Sequence, residues 1–257
     1  MTILRIARNV SNLDHLTTFY AALGFQPLSP AQDNAALAAM LGVANAKSTC
    51  LTLGLCEIEL TQTDPPGAPY PSHADASSRL FQHIAMLTPD IVAAASRALA
   101  AGAAAISVGG PVQLPADSGG AVAWKFRDPD LHPIEFLQHR DQIGYDHSGI
   151  VVVDSKISAE FYRRLGLHKV YDQTNMGPEQ ARLDGLEGAA PHITTLRAAS
   201  GPGLELLNYG STHTSAFSFA SAPADIAADR LVIAGVRPGL LRDPDGHWVA
   251  VEAQPST

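Results

Sequence analysis

The feature that most constrains this chain is a short motif that occurs once near the N-terminus and once near the middle. Its pattern is F-Y-x-x-L-G-[FL], and its copies are Phe19–Phe25 and Phe161–Leu167. The apolar residues recur at helical spacing and the glycine stands where a helix must end. Each copy follows a β-rich segment. Such an internal repeat predicts a fold built from copies of one strand–helix unit.

A second repeated motif marks the end of a unit. It reads D-P-D-[LG]-H followed by an apolar segment, within Arg127–Phe136 and again within Arg242–Ala250. Proline fixes φ and aspartate caps its own backbone, so the motif predicts a turn before a closing strand. We expect its histidines, His132 and His247, to be turn residues that bond the backbone. Related closing strands without this turn are Cys56–Gln62 and Gly203–Tyr209.

Together the motifs divide the chain into four units, the last of them shortened. Each begins with a strand and a helix and ends with strands, which predicts an α+β class. The helices of the second and fourth units are predicted at Asp90–Ala101 and Ala224–Ala234. We group the units into two domains, 1–140 and 141–257. The units cover about 1–64, 80–139, 143–209 and 213–254.

This β-α-β-β-β unit, with its two motifs, resembles the vicinal oxygen chelate superfamily over nearly the whole chain. That group includes glyoxalase I, methylmalonyl-CoA epimerase, extradiol dioxygenases and antibiotic-binding resistance proteins. The resemblance implies tandem βαβββ modules that form curved mixed sheets with peripheral helices. It does not identify the reaction, because one fold hosts many functions.

The resemblance also implies which residues bind a metal. Each unit can offer a histidine on its first strand and a glutamate on its last. The second unit carries His83 and Glu135 at these positions, and the third carries His147 and Glu205. Two imidazoles and two carboxylates suit Zn, Ni, Co, Mn or Fe(II) and match an all-oxygen calcium site poorly.

The first and fourth units depart from this pattern. Arg5 takes the histidine position of the first unit, whereas Glu59 keeps the glutamate position. The fourth unit offers Ala216 and Ala250, with Glu252 as a weak substitute. Pairing the second unit with the third therefore gives one complete site, while sequential pairing gives two broken ones. We favour the crossed pairing, which fails if His83 and His147 lie far apart.

A metal-dependent isomerase or lyase of the glyoxalase and epimerase type is the first functional hypothesis. The metal would stabilise an enolate of a small oxygen-chelating substrate, and either Glu135 or Glu205 would act as general base. An extradiol dioxygenase with Fe(II) is the runner-up. Such enzymes usually carry a tyrosine ten residues before the ligand glutamate, where this chain has Lys125 and Thr195. A non-catalytic binding or resistance protein is the third hypothesis.

Nothing in the sequence identifies the substrate, although several side chains are candidates to contact it. They lie before the second-unit turn, in the polar stretch at 177–185 (which predicts a loop with a short helix) and on the strand after it. These candidates are Lys125, Trp124, Glu179, Gln180, Arg182 and His192.

Composition limits the partners and the location. A net charge of −8 argues against binding to nucleic acid or to an anionic membrane surface. Cys50 and Cys56 are expected on one face of a single strand, Thr49–Gln62, where they are aligned and not opposed. A disulfide is therefore not expected, nor is a signal peptide, which favours the cytoplasm. The expected partners are a small-molecule substrate and a second copy of the chain in a homodimer.

Overall fold

A computed structural model describes residues 2–54, 56–80, 82–210, 222–235 and 237–253. The helices within these ranges begin after capping side chains or after a glycine. Asn12, Asn34, Asp90 and Asp154 each accept a hydrogen bond from a first-turn backbone N–H. The helices are α1 (Leu13–Ala22), α2 (Ala35–Leu41), α3 (Ile91–Ala100), α4 (Ser155–Arg164) and α5 (Pro178–Asp184).

The strands of the described residues form two sheets. In chain order they are β1 (Ile3–Asn9), β2 (Gln26–Pro27), β3 (Gln32–Asp33), β4 (Asn45–Leu53), β5 (Cys56–Asp64), β6 (Gln82–Thr88), β7 (Ala104–Ala105), β8 (Val112–Gln113), β9 (Val122–Arg127), β10 (Pro133–Gln138), β11 (Gly144–Val151), β12 (His168–Thr174), β13 (His192–Arg197), β14 (Gly203–Asn208), β15 (Arg230–Gly235), β16 (Gly239–Arg242) and β17 (Trp248–Ala253).

The units pair crosswise: one sheet joins the first unit to the fourth, and the other joins the second to the third. The terminal sheet has the order β16-β17-β15-β1-β5-β4-β2, with β3 on β4, and combines the first and fourth units. The central sheet has the order β12-β13-β14-β11-β6-β10-β9-β7, with β8 on β9, and combines the second and third units. In each sheet the first strands of the two units pair antiparallel at the centre. The predicted α+β class, the tandem modules and the crossed pairing are thus confirmed.

The two largest hydrophobic clusters are each drawn mainly from one half of the chain, although each also includes a residue of the other half. One core cluster joins Phe19 of the first unit to Trp124 of the second. Another joins Tyr162 of the third unit to Leu231 of the fourth. Both sheets and several smaller clusters combine residues of the two halves, so the division into domains 1–140 and 141–257 stays a prediction.

The two sequence motifs contact each other in both halves. The hydroxyl of Tyr20, from the first F-Y motif, donates to Oδ2 of Asp128 in the first D-P-D turn at 3.0 Å. Tyr162 donates in the same way to Asp243 at 3.1 Å. The turn histidines bond backbone carbonyls as predicted, His132 to Ile226 at 2.9 Å and His247 to Val151 at 2.8 Å.

The helix predicted at Ala224–Ala234 is wrong. Turns occupy residues 223–227, and β15 begins at Arg230. The segment Leu231–Ala234 is buried on both faces, so it shows the continuous apolar run that buried strands share with helices. Ala216, predicted on the first strand of this unit, lies outside the described residues.

Two further segments differ from the sequence prediction. Thr49–Gln62 forms two strands, β4 and β5, that pair antiparallel on either side of Gly54. Cys50 therefore lies on a different strand from Cys56. The helix α2 was not predicted, although its signals are local: Asn34 caps its start and Gly42, at φ +71°, ends it. None of the helices in the described ranges is long and apolar enough to cross a membrane.

Candidate metal centre

The register of the central sheet brings the four predicted ligands to one face. Glu135 of β10 lies opposite the residue two positions after His83 of β6. Glu205 of β14 likewise lies opposite the residue two positions after His147 of β11. Side chains two apart on a strand point to the same side. The repeated offset therefore directs both histidines and both glutamates into the space where the two units meet.

The two imidazoles converge on Oε2 of Glu135, and Glu205 lies beside His147. Nε2 of His83 lies 3.2 Å from it and Nε2 of His147 lies 3.8 Å from it. Oε2 of Glu205 is 3.4 Å from Nε2 of His147. Ligands that each lie about 2.1 Å from one ion are roughly 3.0–3.4 Å apart. The spacing suits a single metal ion, because one ligand atom each of His83, Glu135 and His147 lies within 4.8 Å of the others. Among the described residues, Glu205 is not part of this group of three.

Gly149 makes room for the His83 ring. It is the cross-strand neighbour of His83, and a Cβ on Gly149 would lie 2.1 Å from Cε1 of that imidazole. A glycine inside a strand often marks such a close approach. Sequence reasoning missed this residue, although it stands only two positions after His147.

His147 is oriented by a carboxylate outside the ligand set. Its Nδ1 lies 2.9 Å from Oδ2 of Asp146, which leaves Nε2 directed at the centre. That Nε2 atom is buried and makes no hydrogen bond with the described residues. Burial opposes protonation, but Glu205 and Asp146 outweigh it and raise the pKa of His147 to about 9. The site thus carries a surplus of negative charge that a cation would relieve.

Lys125 keeps Glu135 ionised. The two residues are cross-strand neighbours on β9 and β10. Burial would raise the pKa of Glu135, but Lys125 and His83 outweigh it and lower the pKa to about 2. Burial lowers the pKa of His83 from 6.5, which favours the neutral imidazole that a metal requires. Glu135 and His83 are thus held in the protonation states of metal ligands.

Glu205 is the most accessible of the four ligand side chains. Its side chain is 21% exposed, whereas that of Glu135 is 7% exposed. The hydroxyl of Thr195, directly opposite on β13, donates to Oε1 of Glu205 at 3.2 Å. The other oxygen, Oε2, lies near Nε2 of His147, and Glu205 lines the cavity.

A cavity of about 200 Å³ opens on the four residues. Its wall includes Lys125 and Gln180, both of which contact the buried Asp184. Oδ1 of Asp184 accepts from Nζ of Lys125 at 2.7 Å, and Oδ2 accepts from Nε2 of Gln180 at 2.7 Å and from the Tyr209 hydroxyl at 2.9 Å. One carboxylate therefore fixes three polar side chains, from β9, α5 and the end of the third unit.

The helix α5 reaches this wall because the second unit holds its C-terminal end. Ser107 accepts from the backbone N–H of Lys125 at 2.8 Å and donates to the carbonyl of Leu183 at 2.9 Å. The backbone N–H of Val108 donates to the carbonyl of Arg182 at 2.8 Å. The short helix predicted around Pro178 is confirmed, but its role in presenting Asp184 depends on these contacts between units.

The other predicted contact residues lie away from the cavity. Trp124 stacks on Phe126 in the hydrophobic core. The Arg182 side chain bonds the carbonyl of Val108 on the exposed side of α5, and Glu179 is not among the residues that line the cavity. His192 bonds Thr174 and lines a separate surface depression with Asp172.

The terminal sheet carries a counterpart of this centre. Glu59 lies opposite the residue two positions after Arg5, and Ala250 lies opposite the residue two positions after Arg230. The same offsets define the ligands of the central sheet, so Arg5 and Arg230 occupy the histidine positions. Arg230, and not Ala216, is the residue of the fourth unit that matches His147.

An ion pair fills this counterpart site. Nε of Arg5 donates to Glu59 at 2.9 Å, and Nη1 donates to Glu252 at 3.0 Å. Glu252 thus faces the same side as Ala250, as expected, but binds an arginine. Arg230 is fully buried and donates to Oδ1 of Asn9 at 2.7 Å. Arginine has no acceptor, so neither Arg5 nor Arg230 can bind a metal.

The chain belongs to the Glyoxalase/Bleomycin resistance protein/Dioxygenase superfamily, whose family model matches residues 2–136. The fold is also similar to solved structures. Glyoxalase I from Zea mays is 17% identical, with a TM-score of 0.65 over 97% of this chain and 91% of that chain. A putative dioxygenase from Bacillus subtilis is 12% identical, with a TM-score of 0.61 over 100% of this chain and 86% of that one. At such identities the likeness shows the fold alone. No curated protein sequence matches the chain.

Proposed function

We propose that the protein is a metal-dependent enzyme of the glyoxalase and epimerase type, with His83, Glu135, His147 and Glu205 as its ligand set. The observation that carries the proposal is the convergence of both imidazoles on Glu135 Oε2, at 3.2 and 3.8 Å. The metal would be Zn, Ni, Co, Mn or Fe(II), which bind mixed nitrogen and oxygen ligands. A bound ion of this kind stabilises negative charge on the chelating oxygens of a substrate.

The two glutamates have different roles in this proposal. A general base works best with a pKa near the operating pH, and that of Glu135 is held at about 2. Glu135 is therefore assigned as a ligand only. Glu205 is more exposed and lines the cavity. In an isomerisation it would take the proton from the hydroxyl-bearing carbon next to the substrate carbonyl and deliver it to the carbonyl carbon. The hydroxyl proton of the first carbon moves to the former carbonyl oxygen, so no other reactant is consumed.

Metal content tests the ligand set. We expect purified protein to hold one divalent ion and His147→Ala to lose it. His192→Ala is the matched control, because His192 lies on the same sheet but outside the cavity. Elemental analysis of the three proteins measures the outcome. Stoichiometric metal in His147→Ala would refute the assignment.

Turnover tests the role of Glu205. Glu205→Gln keeps an oxygen donor and we expect it to retain metal, but it cannot accept a proton. The rate of hemithioacetal isomerisation or of epimerisation should fall about 10²–10⁴-fold, the usual contribution of a general base. A variant that holds metal and keeps the wild-type rate would contradict this role.

A second candidate is an extradiol-type dioxygenase. His83, Glu135 and His147 form the buried group of three, and two histidines with one carboxylate are the ligands of many non-haem Fe(II) oxygenases. Dioxygen uptake with a catechol by the Fe(II)-loaded protein, without isomerase activity, would favour this candidate. Ligand binding that survives the loss of metal in His147→Ala would favour a non-catalytic binding protein. A cytoplasmic location and a homodimer stay predictions.

A further inference from the structure

The wall of the cavity formed by Lys125, Asp184 and Gln180 has hydrogen-bonding capacity that the ligand set does not use. Nε2 of Gln180 donates to the Asp184 carboxylate, which accepts only, so the orientation of the Gln180 amide is fixed. Its Oε1 is buried and receives no hydrogen bond from the described residues. Gln180 is 2% exposed and lines the cavity. A buried amide oxygen without a donor is costly, so this position calls for a donor from a ligand.

Lys125, on the same wall, offers hydrogen-bond donors, whereas Gln180 offers an acceptor. Nζ of Lys125 and Nε2 of Gln180 each lie 2.7 Å from an oxygen of the same Asp184 carboxylate. An ammonium group has three N–H donors, and Asp184 is the acceptor that the described residues provide. The wall therefore presents a donor from Lys125 and an acceptor from Gln180, on two side chains that share the Asp184 carboxylate.

A hydroxyl group satisfies both at once, because it accepts and donates. A carboxylate could accept from Lys125 but has nothing to donate to Gln180. It would also add negative charge to a wall where the Asp184, Glu135 and Glu205 carboxylates already lie. The volume of about 200 Å³ is below the roughly 300–1,000 Å³ of pockets for drug-sized ligands, so the ligand is small.

We propose that the substrate is a small hydroxylated carbonyl compound or oxyacid whose second end carries a hydroxyl that Lys125 and Gln180 bind together. One end chelates the metal through adjacent oxygens, and the distal hydroxyl accepts from Lys125 Nζ and donates to Gln180 Oε1. This inference rests on the proposed metal function. The part of the ligand that the cavity encloses is limited by its volume of about 200 Å³.

Pairs of simple acids test the distal hydroxyl on the Co²⁺-loaded protein. L-lactate and L-glycerate share the charge and the α-hydroxycarboxylate chelating group, but glycerate adds a terminal hydroxyl. We expect glycerate to bind about tenfold more tightly than lactate, the effect of one satisfied buried hydrogen bond. Malate, which adds a carboxylate, should bind no more tightly than lactate. Changes in the visible absorption of Co²⁺ report binding of each acid.

Gln180→Met removes the acceptor, and the ratio of glycerate to lactate affinity should fall to about one. Gln138→Met is the matched control, because Gln138 is exposed at the end of β10 and does not line the cavity. Co²⁺ uptake should be unchanged in both variants.

The possible failures are distinguishable. If the wild-type protein takes up no stoichiometric Co²⁺, the proposed function falls and this inference falls with it. If Co²⁺ and the acids bind but glycerate gains nothing over lactate, only the distal hydroxyl is refuted. Tighter binding of malate than of glycerate would also overturn it, in favour of an anion site at Lys125. These comparisons use the wild-type protein and therefore stand even if Gln180→Met does not fold.

Discussion

The central and terminal sheets place four side chains at the same register positions, and the two sets differ in what they do with charge. In the central sheet, burial opposes protonation of His147, but the carboxylates of Glu205, Asp146 and Glu135 outweigh it and raise the pKa of His147 to about 9. In the terminal sheet, Arg5 lies between Glu59 and Glu252 and supplies the positive charge itself. A covalently attached guanidinium thus stands where a metal ion would otherwise balance the carboxylates.

The strands opposite the first histidine position differ as well. Gly149 faces His83 in the central sheet, and Val232 faces Arg5 in the terminal sheet. The imidazole ring lies across the glycine, where a Cβ would overlap it. A metal site of this kind therefore needs a residue without a side chain opposite the first histidine, as well as the ligands themselves.

The largest contrast is expected from the two equivalent glutamates. Glu135→Gln should weaken metal binding by more than about 100-fold, beyond the roughly 10–100-fold that outer-shell changes cost. Glu59→Gln, at the same register position of the terminal sheet, should leave metal affinity unchanged, because Arg5 and Arg230 cannot be ligands. Competition with a chelator of known affinity measures both constants. Equal losses in the two variants would break the comparison.

A pair of glycine substitutions examines the space around His83. Gly149→Ala should displace the His83 ring, with a loss of stability of about 1–3 kcal/mol for overpacking and at least about tenfold weaker metal binding. Gly239→Ala on β16 is the matched control, because nothing lies within 4 Å of a Cβ there. Urea denaturation and metal titration give the two values. Wild-type metal affinity in Gly149→Ala would show that the ring can move at no cost.

The sequence was sufficient for the modules, because both repeated motifs are local. Tyr20 and Asp128 mark a helix and a turn by their neighbours alone, and four residues carried by the resemblance do meet in the central sheet. The sequence was insufficient where packing between units decides. Arg230 could not be assigned, since its Ala-rich surroundings favoured a helix. Asp184 could not be assigned either, because its position depends on contacts of α5 with residues far away in the chain.

The two motif contacts differ in their surroundings, which predicts unequal effects of removing the tyrosine hydroxyls. The Tyr20 hydroxyl donates to Asp128 and also accepts from Nη1 of Arg8 at 2.8 Å. Tyr162 bonds Asp243 alone among the described residues. Hydrogen bonds to charged groups contribute about 1.5–3 kcal/mol. Tyr20→Phe should therefore lower the free energy of unfolding by about 2–3 kcal/mol, and Tyr162→Phe by about 1–2 kcal/mol. Denaturant titration that ranks them in reverse would contradict the comparison.

The smallest effect concerns pH and the first D-P-D turn, where His132 lies between Asp128 and Asp229. Burial would lower the pKa of His132, but these carboxylates outweigh it and raise the pKa above 6.5. A raised folded-state pKa gives stability that is fully present below the unfolded value and is lost as pH rises through the folded value. The free energy of unfolding of the wild type should therefore exceed that of His132→Gln most below pH 6.5, and the difference should shrink as pH increases. Urea titrations across this range measure it, and a difference that grows with pH would show that His132 is neutral in the folded protein.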